Sequence, residues 1–122
     1  MALILLIEDD TQFRTMLEQM LGQDGHQVTT AANGIEGLEC YRQQRPALII
    51  TDILMPKKDG IEVIMEIKRQ TPDVRIIAIS GGRRSITPEF NLESATLMGV
   101  NAVLAKPFSR ADLQKAIRHA LA

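Results

Sequence analysis

Short apolar runs that each end at a polar residue constrain the fold of this chain more than any other feature. The four clearest runs are Leu3–Ile7, Ala47–Thr51, Val74–Ile79 and Ala102–Ala105. The polar residues that follow them are, in order, Glu8 with Asp9, Asp52, Ser80 and Lys106. Continuous apolar runs of this length are typical of strands buried on both faces of a parallel sheet. In one such sheet all of these polar residues emerge at the carboxyl edge, where open α/β sheets bind ligands.

Segments between the apolar runs have the three- and four-residue spacing of amphipathic helices. The first is predicted over Thr11–Leu21, with Asp10 or Thr11 as its N-cap. Its apolar positions are Phe13, Met16, Leu17, Met20 and Leu21. Further helices are predicted from Asn33-Gly34 to about Gln43, after Gly60, between Pro88 and Met98, and from about Ser109 to Leu121. The residues expected to face inward in the third and last helices are Ile61, Ile64, Met65 and Ile67, and Leu113, Ala116, Ile117 and Leu121.

These elements alternate as strand and helix along the whole chain. His26–Ala31 supplies the remaining strand and is more polar, as expected at the edge of a sheet. Alternating βα units imply a parallel sheet with helices on both faces. We therefore predict one α/β domain over residues 1–122, a flavodoxin-like doubly wound (βα)5 fold with a five-stranded parallel sheet in the order 2-1-3-4-5. That order makes the first and third strands neighbours and places Asp9 beside Asp52.

Composition excludes several classes of function. The net charge of −1 argues against a direct nucleic-acid surface. Cys40 is the only cysteine, so the chain has no disulfide framework and no cysteine metal site. The apolar start at Met1–Ile7 is far shorter than the ~20 residues of a membrane span and lacks a positively charged leader. We expect a cytoplasmic protein without membrane contact.

The residue types at the predicted sheet edge suit phosphoryl chemistry. Carboxylates such as Glu8, Asp9 and Asp52 are ligands for Mg²⁺, and an aspartate can also attack phosphorus. Lys106 could neutralise a phosphoryl group, and the Ser80 hydroxyl could donate a hydrogen bond to it. Each residue also has an ordinary structural interpretation, as a helix-terminus acid, a turn residue or a strand end. Their coincidence at one edge favours a site.

The segments that contain these residues resemble a known family. They read ILLIEDDTQFR, DILMPKKDG, IIAISG and AKPFS, and together they cover nearly the whole chain. The chain resembles a response regulator receiver domain, the phosphoacceptor partner of histidine kinases. The resemblance implies that Asp52 is phosphorylated and that Asp9, paired with Glu8, binds Mg²⁺ directly. It also implies that the backbone carbonyl of Leu54 is a further metal ligand.

The same resemblance implies how such a domain signals. A sensor histidine kinase or a phosphotransfer protein donates the phosphoryl group, and Ser80 and Lys106 respond to it. Arg14 falls at an arginine often found in the first helix. The face formed by the fourth helix, fifth strand and fifth helix then changes its contacts with an effector protein or domain, or with a second copy of the chain. Beyond Mg²⁺-dependent self-phosphorylation and slow autodephosphorylation, no enzyme activity is expected.

Three positions depart from the family pattern. Val103 stands where many receivers have an aromatic residue, which argues against an aromatic rotamer switch. The interval from Ser80 to Lys106 is several residues longer than usual, and the extra residues are assigned to Gly82–Leu92. Leu54 and Gly82, two residues after Asp52 and Ser80, cannot polarise an attacking water, so the phosphoryl state is predicted to be long-lived.

Two other functions are compatible with part of this pattern. A pseudo-receiver would regulate partners by contact alone, without phosphorylation, but it would tend to lose one of the site residues. An aspartyl-phosphate phosphohydrolase would need a general acid two residues after its nucleophile, and Leu54 occupies that position. The phosphoacceptor domain is the leading hypothesis.

Overall fold

A computed structural model of the chain describes residues 2–53, 55, 60–81 and 98–122. Its strands are β1 (Leu3–Ile7), β2 (Gln27–Ala31), β3 (Leu48–Asp52), β4 (Ile76–Ser80) and β5 (Ala102–Ala105). Its helices, within those residues, are α1 (Thr11–Gln23), α2 (Gly34–Gln44), α3 (Gly60–Gln70) and α4, the C-terminal helix (Arg110–Leu121). The helix predicted between Pro88 and Met98 falls almost entirely outside the described residues.

The strands form one parallel sheet in the predicted order, β2-β1-β3-β4-β5. The polar strand β2 lies at an edge, as its sequence predicts. The carboxyl ends of the other strands are in register, since Ile7 pairs with Thr51, Asp52 with Ile79, and Ser80 with Ala105. Residues that follow these strands therefore meet at one edge of the sheet.

Alternate residues of the central strands supply two apolar cores, one on each face of the sheet. Leu5 and Ile7 of β1 point into the core that α2 and α3 cover. Ile4 and Leu6 point into the core that α1 and the C-terminal helix cover. Burial on both faces explains why the central strands are continuous apolar runs. The predicted parallel sheet with helices on both faces is confirmed.

One prediction of an inward-facing residue was wrong, because Met65 is 51% exposed. Met16, one of the apolar positions of α1, is 40% exposed. In α3 the buried stripe is Gly60, Val63, Ile64 and Ile67, and successive residues are 100° apart around a helix, so Met65 lies well away from it. In the C-terminal helix Ala120 is buried, whereas Leu121 is only partly covered.

Side-chain caps fix where the helices begin. Of the two candidates for α1, Asp10 is the N-cap, and its carboxylate accepts a hydrogen bond from the Phe13 backbone N–H. Ser109 caps the C-terminal helix in a reciprocal capping box with Asp112. Both helices thus begin within a few residues of the sheet edge. In the ranges that the structure describes, no helix is long and apolar enough to cross a membrane.

Candidate functional site

Three carboxylates meet at the carboxyl edge of the sheet. Glu8 and Asp9 follow β1, Asp52 ends β3, and each offers an oxygen within 4.8 Å of the others. Glu8 is fully buried and Asp52 is 5% exposed, whereas Asp9 is partly exposed. The neighbouring positions of β1 and β3 bring these groups together, as the sequence predicts.

Lys106 brings a positive charge into this group from the end of β5. Its Nζ lies 3.0 Å from Oδ2 of Asp52 and 3.0 Å from Oε1 of Glu8. The contact with Asp52 is a hydrogen bond. Glu8 Oε1 has the ion pair but no aligned hydrogen bond among the described residues. One ammonium group therefore bridges two buried carboxylates.

Burial and crowding change the acidity of the site. Burial, and after it the Asp52 carboxylate, raises the pKa of Glu8 from 4.5 to about 7. Burial alone would lower the pKa of Lys106, but Asp52 and Glu8 outweigh it and raise the pKa above its ordinary value. Lys106 thus remains an ammonium at neutral pH, within a site that has an excess of carboxylates.

Backbone contacts fix Glu8 at the start of the β1–α1 loop. Its Oε2 accepts a hydrogen bond from the Asp10 N–H at 3.1 Å. Arg14, the arginine of the first helix, donates to the Glu8 backbone carbonyl at 2.8 Å. The Glu8 side chain is therefore held between Lys106 and its own loop.

Gly60, the first residue of α3, packs against the backbone at the end of β3, next to Asp52. It was not predicted as a site residue. A Cβ on Gly60 would lie 2.1 Å from the Asp52 carbonyl oxygen, and the Gly60 N–H donates to the Ile53 carbonyl at 2.7 Å. In the sequence, the glycine of Asp59-Gly60 indicated only a turn. Only glycine allows the first turn of α3 to lie this close to the end of β3.

The structure describes the other residues named in the sequence analysis only in part. Ser80 is the last residue of β4 and pairs with Ala105, which precedes Lys106, but its side chain is not described. Leu54 and the segment Gly82–Leu92 lie outside the described residues. Val103 is partly buried and packs against the core under α2 and α3.

The site has the chemistry to hold a hard cation and an anion together. Carboxylate oxygens of Glu8, Asp9 and Asp52 are the ligand type of hard divalent metals, so the acidic group fits such an ion. A cation there would also relieve the repulsion that contributes to the raised pKa of Glu8. Lys106 is a point charge suited to a phosphoryl oxygen.

A doubly wound sheet with an acidic group and a lysine at its carboxyl edge defines a class of α/β domain that binds its ligand at the strand ends. Comparison with known proteins identifies the family within that class. The family model described as "Response regulator receiver domain" matches residues 4–118. The chain belongs to the response regulator receiver domain family of two-component signalling.

Relatives cover nearly all of the chain. Transcriptional regulatory protein AfsQ1 of Streptomyces coelicolor is 41% identical over 118 residues, which are 97% of this chain and 50% of the relative. Chemotaxis protein CheY of Halobacterium salinarum is 34% identical over 118 residues, 97% of this chain and 95% of the relative. The crystal structure of a receiver domain protein from Clostridium thermocellum superposes with a TM-score of 0.91 at 32% identity, covering 99% of this chain and 94% of the other.

The chain spans about half the length of several of these relatives. It covers 50% of AfsQ1 and 46% of a probable transcriptional regulator, ycf27, from Porphyra purpurea. The region shared with the longer regulators is therefore the receiver domain.

Proposed function

We propose that this chain is the phosphoacceptor domain of a two-component phosphorelay and is phosphorylated on Asp52. One observation supports this most directly: Lys106 Nζ lies 3.0 Å from the Asp52 carboxylate inside a buried acidic group. A nucleophilic carboxylate with an ammonium beside it is what transfer of a phosphoryl group to aspartate requires.

In the proposed reaction a carboxylate oxygen of Asp52 attacks phosphorus of the donor. The donor is a phosphohistidine of a sensor kinase or phosphotransfer protein, or a small acyl phosphate. A new O–P bond forms as the bond from phosphorus to the histidine nitrogen, or to the acyl oxygen, breaks, and the leaving group keeps that electron pair. Lys106 neutralises part of the phosphoryl charge, and the Ser80 hydroxyl donates a hydrogen bond to a phosphoryl oxygen.

The acidic residues would hold Mg²⁺ as the cofactor of this reaction. Asp9 and Asp52 would be direct ligands, Glu8 would complete the acidic group, and the Leu54 carbonyl would be a further ligand. When bound, the cation supplies positive charge that offsets the charge of the phosphoryl oxygens. Because Glu8 is already engaged by Lys106 and the Asp10 N–H, its role is to balance charge and to orient its neighbours.

Phosphorylation would then change which partner the domain contacts. It adds about one negative charge at Asp52, and Ser80 and Lys106 lie at the ends of adjacent strands β4 and β5. Movement of these residues toward the phosphoryl group would bias the face made by the predicted fourth helix, β5 and the C-terminal helix. An effector protein or domain, or a second copy of the chain, would read that face. The domain would act as a switch and turn over no metabolite.

Intact-mass measurement after incubation with acetyl phosphate and Mg²⁺ tests this function. We expect one phosphate adduct in the native chain and none in Asp52→Asn. Asp73→Asn, at an exposed acid in the turn after α3, is the matched control and should label normally. Absence of an adduct while Mg²⁺ binds would contradict the proposal in favour of the interaction module, and steady phosphate release would favour the phosphohydrolase.

A further inference from the structure

Lys106 has an aromatic neighbour in addition to its two carboxylates. Its Nζ lies over the ring of Phe13, 4.2 Å from the ring centroid. The same nitrogen is 3.0 Å from oxygens of Glu8 and Asp52. The face of an aromatic ring has negative electrostatic potential and attracts a cation. Three groups, from the loop after β1, the first turn of α1 and the end of β3, thus hold one ammonium group.

Phe13 is itself held firmly in the first turn of α1. Its backbone N–H donates to the capping carboxylate of Asp10 at 3.0 Å. Its ring meets that of Phe108 edge to face, with centroids 5.7 Å apart and the planes at 84°. Both rings pack against the core under α1 and the C-terminal helix. The ring that contacts Lys106 is therefore fixed from the helix on one side and from the loop after β5 on the other.

We propose that Phe13 is a positioning residue for phosphoryl transfer to Asp52 and acts through Lys106. This inference rests on the proposed function. A lysine side chain is long and flexible, so its charge is useful at Asp52 only if something limits where it can lie. The ring face keeps the ammonium beside Asp52 while Asp52 gains a phosphoryl group. Small errors in the placement of a catalytic group lower rates strongly.

Fluorination of the Phe13 ring separates this role from simple packing. Fluorine withdraws charge from the ring face but changes its shape and hydrophobicity little. We expect the initial rate of labelling by acetyl phosphate to fall stepwise with mono-, di- and trifluorophenylalanine at position 13, by about fivefold or more in total. Fluorotyrosine at position 41 is the control. The Tyr41 ring also lies under a cation, with its centroid 5.0 Å from Cζ of Arg45, but it packs in the core under α2 and α3, on the other face of the sheet from Phe13. The labelling rate of this variant should stay within twofold of the native rate.

A spectroscopic measurement on metal-free protein gives a second, independent readout. The ring current of Phe13 should move the NMR signals of the Lys106 ε-methylene protons upfield, and Phe13→Leu should remove that shift. Labelling of the native chain together with an unchanged rate in the trifluoro variant would overturn the inference. Loss of labelling in the native chain would instead contradict the proposed function.

Discussion

Glu8 shows how much the fold forces on a single residue. It is fully buried beside Asp52, and its pKa is raised from 4.5 to about 7. Two contacts stabilise its ionised form: Lys106 Nζ lies 3.0 Å from Oε1, and the Asp10 backbone N–H donates a hydrogen bond to Oε2. Ionisable groups with strongly shifted pKa values cluster at functional sites. Two predictions belong to this scale.

The first prediction concerns the pH dependence of stability without divalent cations. Because the folded-state pKa of Glu8 is raised, its ionisation destabilises the fold: the full stability is present below pH 4.5 and is lost as pH rises through about 7. Glu8→Gln removes this loss. The free energy of unfolding of Glu8→Gln, relative to the native chain, should therefore rise by roughly 2–3 kcal/mol across that window.

Urea denaturation at a series of pH values in chelator measures this difference. Glu39→Gln, at an exposed glutamate of α2, is the matched control for the loss of one carboxylate. A difference for Glu8→Gln that does not exceed that of the control at any pH would contradict the raised pKa.

The second prediction concerns the lifetime of the phosphoryl group. Since neither Leu54 nor Gly82 can polarise a water molecule, the phosphorylated domain should persist for many minutes after the donor is removed. Leu54→Asn should shorten the half-life several-fold, whereas Leu54→Met, which keeps an apolar side chain, should not. The measurement is intact mass against time after desalting, and decay of the native adduct within seconds would show the prediction to be wrong.

At the scale of elements, the site depends on how α3 begins against the end of β3. Gly60 has no room for a side chain, because a Cβ there would lie 2.1 Å from the Asp52 carbonyl oxygen. Gly60→Ala should therefore lower the free energy of unfolding by about 1–3 kcal/mol and slow labelling by acetyl phosphate, since the Asp52 backbone must move.

Gly22→Ala is the control for this change. Gly22 lies within α1, and a Cβ there would meet nothing within 4 Å. Alanine at this helical position should stabilise the fold by about 0.5–1 kcal/mol without changing the labelling rate. Chemical denaturation and labelling of both variants check the pair. Equal effects of the two substitutions would rule out close packing at Gly60 as the cause.

The elements also show how far the sequence could predict the fold. Strand positions followed from the apolar runs and the βα alternation, and the strand order followed from the flavodoxin-like class. Together these brought Asp9 beside Asp52. Contacts between elements could not be derived in this way. In the sequence, Phe13 was only one of the apolar positions of the first helix, and the tertiary structure places its ring on Lys106. The exposure of Met65 shows that apolar spacing alone does not fix which face of a helix is buried.

On the scale of the whole molecule, the site joins parts of the chain that are far apart in sequence. Glu8 and Asp9 follow β1, Asp52 ends β3, and Lys106 follows β5. Only the folded sheet brings them together, so the unfolded chain has no comparable site. A ligand that binds there must therefore stabilise the whole fold, by an amount set by its concentration relative to its dissociation constant.

This coupling gives the last prediction, on metal removal. Mg²⁺ at a hundred times its dissociation constant should raise the free energy of unfolding by about 2.7 kcal/mol over protein in chelator. Asp9→Asn should lose most of that gain because it removes a proposed ligand at the partly exposed side of the group. Asp73→Asn, in the turn after α3, should keep it. Denaturant unfolding of the native chain and both variants at several Mg²⁺ concentrations measures the gain. An equal gain in all three proteins would mean that the cation acts through general ionic strength. A gain lost only in Asp9→Asn assigns the stabilising cation to the acidic edge of the sheet.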